Sequence, residues 1–574
     1  MKYPKNRSLL KLTSFLTTGI FLLLLSSCAH QGMPPGGPED RTPPLIIRTN
    51  PQNRATLVST STSIQLTFSE KIDHKSIEDN LFLAPAPKNP FRLKWHGKTL
   101  SLLLPDTLLA NQTYLVTVGT RVRDLHGNSM RESFTLAFST GSQLDNGQIV
   151  GRLFAKASLL NFQIFGYLLR LTPAPDPRVD SPQYQTQCDA QGHFRLQNLS
   201  PGNYRLFALN DKDKNRRYDP GYDAIGFPTR DAFLTRKDST DGPLFFRAAV
   251  QDTTPPKIVS AFATDANHVQ IRMSEPVDSL DAKNPEHFAI FEKNNPAGGK
   301  LPIRANYRNY LNPNQIILVT VGQDSSKMYT LRLRQIHDRA GNLIDSANDS
   351  ISFHGSARPD TIPPQVVRVF PVDSAKAVLP DQIPSCAFSE AIDTLQADSV
   401  LLLQNSNGDT IPGKTVWLQP DVFQFKPRQF LKGNQFFRWH LIARRIFDFA
   451  GNHLKSDSIK IFRVVPEDTL SEIAGKIQDA DSSSTGPIFL HLTQINPPHL
   501  KRSVKLKRPG AYRFKDILPG NYRLSAFRDR DQNGKFSCGH LKPFHFSERF
   551  FFYPDTILVR SRWPNEGNDF QLPK

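Results

Sequence analysis

The chain is predicted to be all-β, a multidomain array of antiparallel β-sandwiches, and three observations predict this class. The phrase IQLTFSEKID at residues 64–73 alternates apolar and polar residues as a half-buried strand does, and related phrases return at 269–278 and 384–393. A different phrase at 194–215 returns at 512–533 with 11 of 22 positions identical. The 45 prolines and 32 glycines are typical of many turns and joints rather than of long helices.

The length of 574 residues exceeds what one hydrophobic core organises, and repeats of about a hundred residues predict five modules. We expect these modules to form a rod of similar β units behind a leader and a tether. In chain order the predicted segments are a signal peptide at 1–27, a Pro/Gly tether at 28–41, and modules at 42–142, 145–248, 252–356, 360–465 and 470–574.

The N-terminal sequence predicts the cellular location of the protein. Residues 1–27 have a basic start and an apolar run that ends at Leu25, too short for a membrane span and typical of a signal peptide. The sequence LSSC that ends at Cys28 resembles the lipobox of bacterial lipoproteins. This resemblance implies that Cys28 becomes the first mature residue and carries acyl chains that anchor the protein to a membrane. The alternative is an ordinary signal peptide with an incidental cysteine.

The residue after the cysteine bears on the membrane that holds the protein. Ala29 stands where many lipoproteins of the inner membrane carry an aspartate. The sequence therefore favours the outer membrane of the cell envelope, and it leaves open whether the modules lie on the periplasmic or the external face.

The first module shows the elements of an antiparallel sandwich. Strands are predicted at 64–68, 99–104, 113–118 and 134–138, and DLHGN at 124–128 predicts a turn. The opening Thr-Pro-Pro suits an edge strand, which need not donate to a ladder.

The same signatures carry a family resemblance. Thr-Pro-Pro, Phe-Ser-Glu-x-Ile-Asp and Asp-x-x-Gly-Asn together resemble the bacterial Ig-like domain of S-layer proteins and of Bacteroidota-type surface or outer-membrane lipoproteins. The signatures return in 252–356 and 360–465, which implies three Ig-like modules. The family implies no catalytic role. We interpret Glu70, Asp73 and Asp124 as residues of strand ends and turns that bind the backbone.

The second and fifth modules share another resemblance. A strand, a Pro-Gly turn and an Asn-Tyr-Arg-Leu strand resemble the transthyretin-like or carboxypeptidase-regulatory-like β-sandwich. That family implies seven strands and no activity of its own.

An acidic loop follows this phrase in both modules and provides the candidate metal ligands. Oxygen side chains at alternate positions converge on a hard cation in calcium loops. Neither loop is an EF-hand, because Tyr222 and His540 occupy the twelfth position, where a glutamate is required. Weak structural calcium binding and a solvated hairpin turn both fit the pattern, and the first loop is favoured for its larger number of carboxylates. The candidate ligands are Asp211, Asp213, Asn215 and Asp219 in the second module and Asp529, Asp531 and Asn533 in the fifth.

The four cysteines indicate neither a disulfide framework nor a metal cluster, because no two lie close in sequence. Cys188 is interpreted as an inert thiol and Cys386 as a small buried residue on the inward face of its strand. Cys538 with His540 and His545 lacks a fourth ligand, so zinc is not predicted.

The expected function is that of a non-enzymatic, lipid-anchored envelope protein that presents Ig-like modules for structural, adhesive or protein-partner interaction. The net charge of +18 is spread along the chain, which argues against a nucleic-acid partner. An accessory glycan- or polymer-binding lipoprotein is the alternative, although Trp417 and Trp439 are interpreted as core residues. A hydrolase is less favoured, because the sequence contains no nucleophile-elbow, zinc-protease or phosphate-loop motif. Only a catalytic triad built from distant residues would provide a hydrolytic site.

Overall fold

A computed structural model describes residues 40–574, except 79, 88, 296–298, 396–399 and 498. Cys28, the predicted signal peptide and nearly all of the predicted tether lie outside the described residues. The chain divides into two compact units, one ending at Leu144 and one spanning Asp145–Lys574. Among the described residues, no helix is long and apolar enough to cross a membrane.

The first unit is a two-sheet sandwich whose core lies between a four-stranded and a three-stranded sheet. Its antiparallel sheets run in the orders β1-β2-β5-β4 and β3-β6-β7. Ile64, Leu66 and Phe68 are fully buried, as the alternation predicted. Its elements are β1 (Ile46–Asn50), β2 (Ile64–Phe68), α1 (His74–Glu78), β3 (Leu81–Ala84), β4 (Arg92–His96), β5 (Thr99–Leu103), β6 (Thr113–Val118) and β7 (Phe134–Ser139).

The second module forms one continuous eight-stranded sheet in the order β10-β9-β12-β13-β15-β8-β11, with β14 also paired to β12. The long strand β15 runs parallel to β8, and the other pairs are antiparallel. A 3-10 turn lies at Leu159–Asn161. The strands are β8 (Gly147–Ala155), β9 (Gln163–Leu168), β10 (Tyr184–Gln187), β11 (His193–Leu199), β12 (Gly202–Asn210), β13 (Ala224–Gly226), β14 (Ala232–Leu234) and β15 (Thr240–Val250).

The third module repeats the architecture of the first, with sheets in the orders β16-β17-β20-β19 and β18-β21-β22. Short 3-10 turns lie at Asp281–Lys283 and Pro285–His287. The strands are β16 (Ile258–Ala263), β17 (His268–Met273), β18 (Phe288–Glu292), β19 (Ile303–Arg308), β20 (Gln315–Thr320), β21 (Met328–Leu333) and β22 (Ser350–His354).

The fourth module has the same strand order again, β23-β24-β27-β26 and β25-β28-β29. Cys386 and Trp439 are each 1% exposed in its core, and Trp417 packs against that core, as expected from the sequence. Its elements are β23 (Val366–Phe370), β24 (Ser385–Phe388), β25 (Leu401–Asn405), β26 (Gly413–Gln419), β27 (Val422–Pro427), β28 (Phe436–Leu441) and β29 (Ser458–Arg463), with 3-10 turns at Ala443–Arg445 and Glu467–Thr469.

The fifth module repeats the pairing pattern of the second without a counterpart of the β13–β15 pair. Its described strands therefore form two sheets, ordered β33-β30-β37 and β32-β31-β34-β35, with β36 also paired to β34. Its last strand, β37, is parallel to β30, as β15 is to β8. Each of these modules therefore has eight described strands, where the resemblance implied seven. The strands are β30 (Ser471–Asp479), β31 (Ile488–Gln494), β32 (Lys501–Leu506), β33 (Gly510–Ile517), β34 (Gly520–Arg528), β35 (Phe550–Phe552), β36 (Ile557–Val559) and β37 (Phe570–Leu572).

The expected rod is wrong for 145–574, because the fifth module packs back on the second. Phe544 joins a buried cluster that contains Phe207 and Phe227. The third module contacts the fourth through Tyr307 and Ala391, and Leu379 and Leu518 join the fourth to the fifth. The chain also links the second module to the third, so each of the four modules adjoins two of the others.

Candidate functional site

The recurring aspartates of the Ig-like modules are held by their own turns. Asp124 Oδ1 accepts hydrogen bonds from the backbone N–H groups of His126 and Asn128, each at 2.8 Å, and Oδ2 accepts from the side chain of Asn128 at 2.8 Å. Asp338 and Asp448 accept equivalent bonds from their turns. The structure confirms that these carboxylates serve the backbone.

Each turn also holds the residue that opens its module. The side-chain amide of Asn128 donates to the carbonyl oxygen of Asp40 at 2.8 Å, and the third and fourth modules repeat this bond between Asn342 and Asp252 and between Asn452 and Asp360. Sequence reasoning missed the opening aspartate, although its signal, an aspartate three residues before each Pro-Pro pair, stands in all three modules.

The opening aspartate, the turn aspartate and a glutamate form one acidic cluster in each Ig-like module. Within a cluster the carboxylate oxygens lie within 4.8 Å of one another, with His126 as a fourth member in the first. Burial, followed by the charges of the two aspartates, raises the pKa of Glu275 to about 7 and that of Glu390 to about 8. The clusters are Asp40–Glu70–Asp124, Asp252–Glu275–Asp338 and Asp360–Glu390–Asp448.

The first acidic loop satisfies its own carboxylates. Asp211 Oδ1 accepts from the N–H of Asn215 at 3.1 Å, and its Oδ2 accepts from the N–H of Arg216 at 2.7 Å. The side-chain amide of Asn215 donates to Asp213 at 2.9 Å and to Asp219 at 2.8 Å. The predicted residues thus come together around the Asn215 amide, in the pattern of a hydrogen-bonded turn.

The second acidic loop adds a carboxylate that the sequence pattern does not include. Glu548 accepts from the N–H of Arg530 at 2.6 Å and from that of Ser537 at 3.0 Å. In the first loop Asp223 accepts from the equivalent N–H groups of Lys212 and Asp219. Glu548 was missed because it lies on a later segment of the chain, far from the alternating residues.

The geometry of the second loop differs from that of the first in one respect. Carboxylate oxygens of Asp529, Asp531 and Glu548 lie within 4.8 Å of one another. Asn533 turns its amide nitrogen toward Asp531, at 2.9 Å. Burial, followed by the charges of Asp531 and Asp529, raises the pKa of Glu548. As a candidate metal site, the first loop was favoured by its number of carboxylates, whereas the placement of the carboxylate oxygens in the structure favours the second loop.

The segment 536–552 joins the fifth module to the second. The guanidinium carbon of Arg205 lies 3.9 Å from the ring centre of Phe544, a cation–π contact. The N–H of Ser547 donates to the carbonyl of Pro228 at 3.0 Å, and Lys542 lies 3.2 Å from Asp176. This segment carries aromatic, polar and ionic contacts to the second module at once.

A groove of about 1010 Å³ lies beside this contact, lined by residues of both modules. Phe154 packs against Phe552 at 4.9 Å between ring centres, which brings the two aromatic walls together. Arg152, Arg195 and other polar residues of β8, β10 and β11 line it as well. The groove therefore offers aromatic faces and hydrogen-bond donors to a ligand.

Two of the cysteines, Cys188 and Cys386, are buried. Cys188 is buried, and burial raises the pKa of its thiol to about 12, as it also raises the pKa of Cys386. Among the described residues, no cluster of three metal-ligating side chains contains Cys538, His540 or His545.

Two stretches, 40–140 and 360–463, match the family model of the bacterial Ig-like domain. The chain is therefore a nearly all-β, multidomain protein that contains bacterial Ig-like domains, as the sequence predicted. No curated protein matches it.

Three of the solved structures that match parts of the chain do so at low identity. The N-terminal part of the bacterial S-layer protein SbsC is 14% identical over 37% of this chain and 44% of that chain, with a TM-score of 0.16. An L,D-transpeptidase from Mycobacterium smegmatis is 11% identical over 37% and 90%, with a TM-score of 0.17. The alpha-2-macroglobulin of E. coli is 9% identical over 86% and 42%, with a TM-score of 0.14. The match thus spans less than half the length of the N-terminal part of SbsC.

Proposed function

We propose that this chain is a non-enzymatic lipoprotein of the cell envelope, anchored to the outer membrane through Cys28, which presents its β modules to an envelope partner protein. The observation that carries the proposal is the use of the recurring carboxylates. The turn aspartates accept backbone hydrogen bonds within their own modules, and this structural use of recurring carboxylates supports a non-enzymatic role.

The packing of the modules supports a presenting role. The fifth module is held on the second by aromatic, polar and ionic contacts, which fix the surfaces of both modules relative to each other. Because such a surface is pre-organised, little entropy is lost in ordering it when a partner binds.

The anchor is tested by fractionation of cells that express the chain or its Cys28→Ser variant. We expect the wild-type chain in the membrane fraction with acyl chains on Cys28, as measured by mass spectrometry, and the variant outside that fraction. Cys538→Ser is the control, because it removes another cysteine and leaves the anchor. A mature wild-type protein without lipid would overturn this part of the proposal.

The partner is tested by photo-crosslinking in intact cells, followed by mass spectrometry. We expect one envelope protein to crosslink to surface positions of the wild-type chain and to be lost in the Cys28→Ser variant. Turnover of an ester or peptide substrate by the purified chain would contradict the non-enzymatic role.

Accessory binding of a glycan or another envelope polymer is the second candidate, and the groove between the second and fifth modules favours it. Sugars stack on aromatic faces and accept hydrogen bonds from arginine, and the groove presents both. Retention on a glycan array that is lost in Phe154→Ala and kept in Phe430→Ala, a change at an exposed position, would favour this candidate over a protein partner.

A further inference from the structure

The fifth module contains a buried carboxylate oxygen without a partner. Asp529 is 1% exposed, and its Oδ2 accepts from the N–H of Gly534 at 3.0 Å. Its Oδ1 has no hydrogen-bond partner. A buried, unpaired oxygen of a charged group is costly, so a native fold that keeps one indicates a missing partner.

The surroundings of Asp529 indicate a cation as that partner. Glu548 is 3% exposed and Asp531 is exposed, and an oxygen of each lies within 4.8 Å of Asp529. Three ionised carboxylates this close repel one another, and a cation bound among them offsets that repulsion. All three are oxygen donors, which calcium prefers, and the cluster contains no histidine or cysteine that would favour zinc.

The loop of the second module is a natural control. Both oxygens of Asp211 accept backbone N–H groups, at 3.1 and 2.7 Å. In the part of the chain that the structure describes, no three carboxylates of this loop meet the 4.8 Å spacing. The repeated sequence therefore has one copy in which both oxygens of the first aspartate are hydrogen-bonded and one copy in which Oδ1 of that aspartate has no partner.

We propose that Asp529, Asp531 and Glu548 bind a calcium ion, and that this ion stabilises the packing of segment 536–552 on the second module. Glu548 belongs to that segment, and the N–H of its neighbour Ser547 donates to Pro228 of the second module. An ion bound by Asp529 and Glu548 joins the acidic loop of the fifth module to the segment that contacts the second. This inference is independent of the anchor and of any envelope partner.

Calcium binding is tested by calorimetric titration of calcium chloride into the full chain, purified in detergent and treated with chelator. We expect Asp529→Asn to weaken one binding event at least tenfold. Asp211→Asn is the matched control and leaves that event unchanged. An equal loss in both variants, or no heat from the wild-type chain, overturns the site.

A second variant separates binding from folding. Asp531 is exposed, so Asp531→Asn leaves the core intact, and we expect it to weaken the same event at least tenfold. Unchanged binding in this variant, with a melting curve like that of the wild-type chain, overturns the assignment of Asp531.

The effect on packing is tested by hydrogen exchange. We expect calcium to slow exchange in segment 536–552 at least threefold in the wild-type chain and in Asp211→Asn, and not in Asp529→Asn. Exchange that calcium leaves unchanged in the wild-type chain overturns the stabilising role of the ion.

Discussion

At the scale of single residues, the acidic clusters of the Ig-like modules hold carboxylates where burial disfavours their charged form. Glu390 lies with Asp360 and Asp448, and His268 and Asp265 adjoin the same group. The raised pKa of Glu390 means that the folded chain retains a proton that the unfolded chain has lost above a pH of about 4.5. Its contribution to stability is therefore full at low pH and is lost as the pH rises through about 8.

The variant Glu390→Gln tests this dependence. The amide stays neutral at every pH, so we expect the variant to be more stable than the wild-type chain by up to about 5 kcal/mol at pH 9, and little changed at pH 4, since the pKa of Glu390 rises from 4.5 to about 8 on folding and one pKa unit corresponds to about 1.4 kcal/mol. Melting followed by tryptophan fluorescence measures it, because Trp417 and Trp439 lie in the same module. Glu286→Gln, at an exposed position, is the control, and an equal gain at both pH values would refute the prediction.

A second residue-scale prediction concerns the turn aspartates. Asp124→Ala leaves two backbone N–H groups and one side-chain amide without their acceptor, so we expect the first unit to lose about 1–3 kcal/mol of stability. Urea unfolding measures this loss. Asp106→Ala, at an exposed position, should change the midpoint little. A variant at position 124 with unchanged stability would show that the turn does not depend on this carboxylate.

At the scale of elements, the segment 536–552 depends on one glycine. A Cβ atom at Gly539 would lie 2.6 Å from the Cβ of Phe227, and the φ of +88° is itself unfavourable for other residues. The approach of this segment to the second module is therefore closer than any side chain at 539 permits.

We expect Gly539→Ala to displace the segment and to speed hydrogen exchange across 536–552. Gly567→Ala is the matched control, because Gly567 also has a positive φ, +79°, but a Cβ there would meet nothing within 4 Å. The control isolates backbone strain, about 1 kcal/mol, from the steric clash. Equal exchange in the two variants would show that the close approach has no energetic weight.

At the scale of the whole molecule, the return of the fifth module to the second closes the chain of modules in 145–574. The ring of Phe544 lies 6.2 Å from that of Phe207 and 6.4 Å from that of Phe227, between ring centres. Aromatic side chains dominate the energetics of such contacts because each buries a large apolar area.

Phe544→Ala should therefore separate the second and fifth modules. Loss of a well-packed phenylalanine costs about 3 kcal/mol, enough to populate an open form of a contact between modules. Small-angle X-ray scattering of the full chain measures the expected increase in radius of gyration. Phe430→Ala, which removes an exposed ring, should leave the radius unchanged. An unchanged radius in the Phe544 variant would show that the remaining contacts suffice.

The sequence by itself determined the class of fold, the repeats and the local chemistry of the turns. The alternation of Ile64, Leu66 and Phe68 sets a buried face because successive side chains of a strand point to opposite sides of the sheet. Asp124 finds its partners within four residues, so its role also follows from sequence spacing.

Only the tertiary structure decided which distant residues meet. Glu548 lies beside Asp529, Asp40 beside Glu70, and Phe544 beside Phe207. None of these pairs follows from a period of two or from turn geometry, because packing between separate segments creates them. The expected rod was wrong for the same reason. Sequence similarity between modules predicts the fold of each module, whereas the side chains on their surfaces determine which modules pack together.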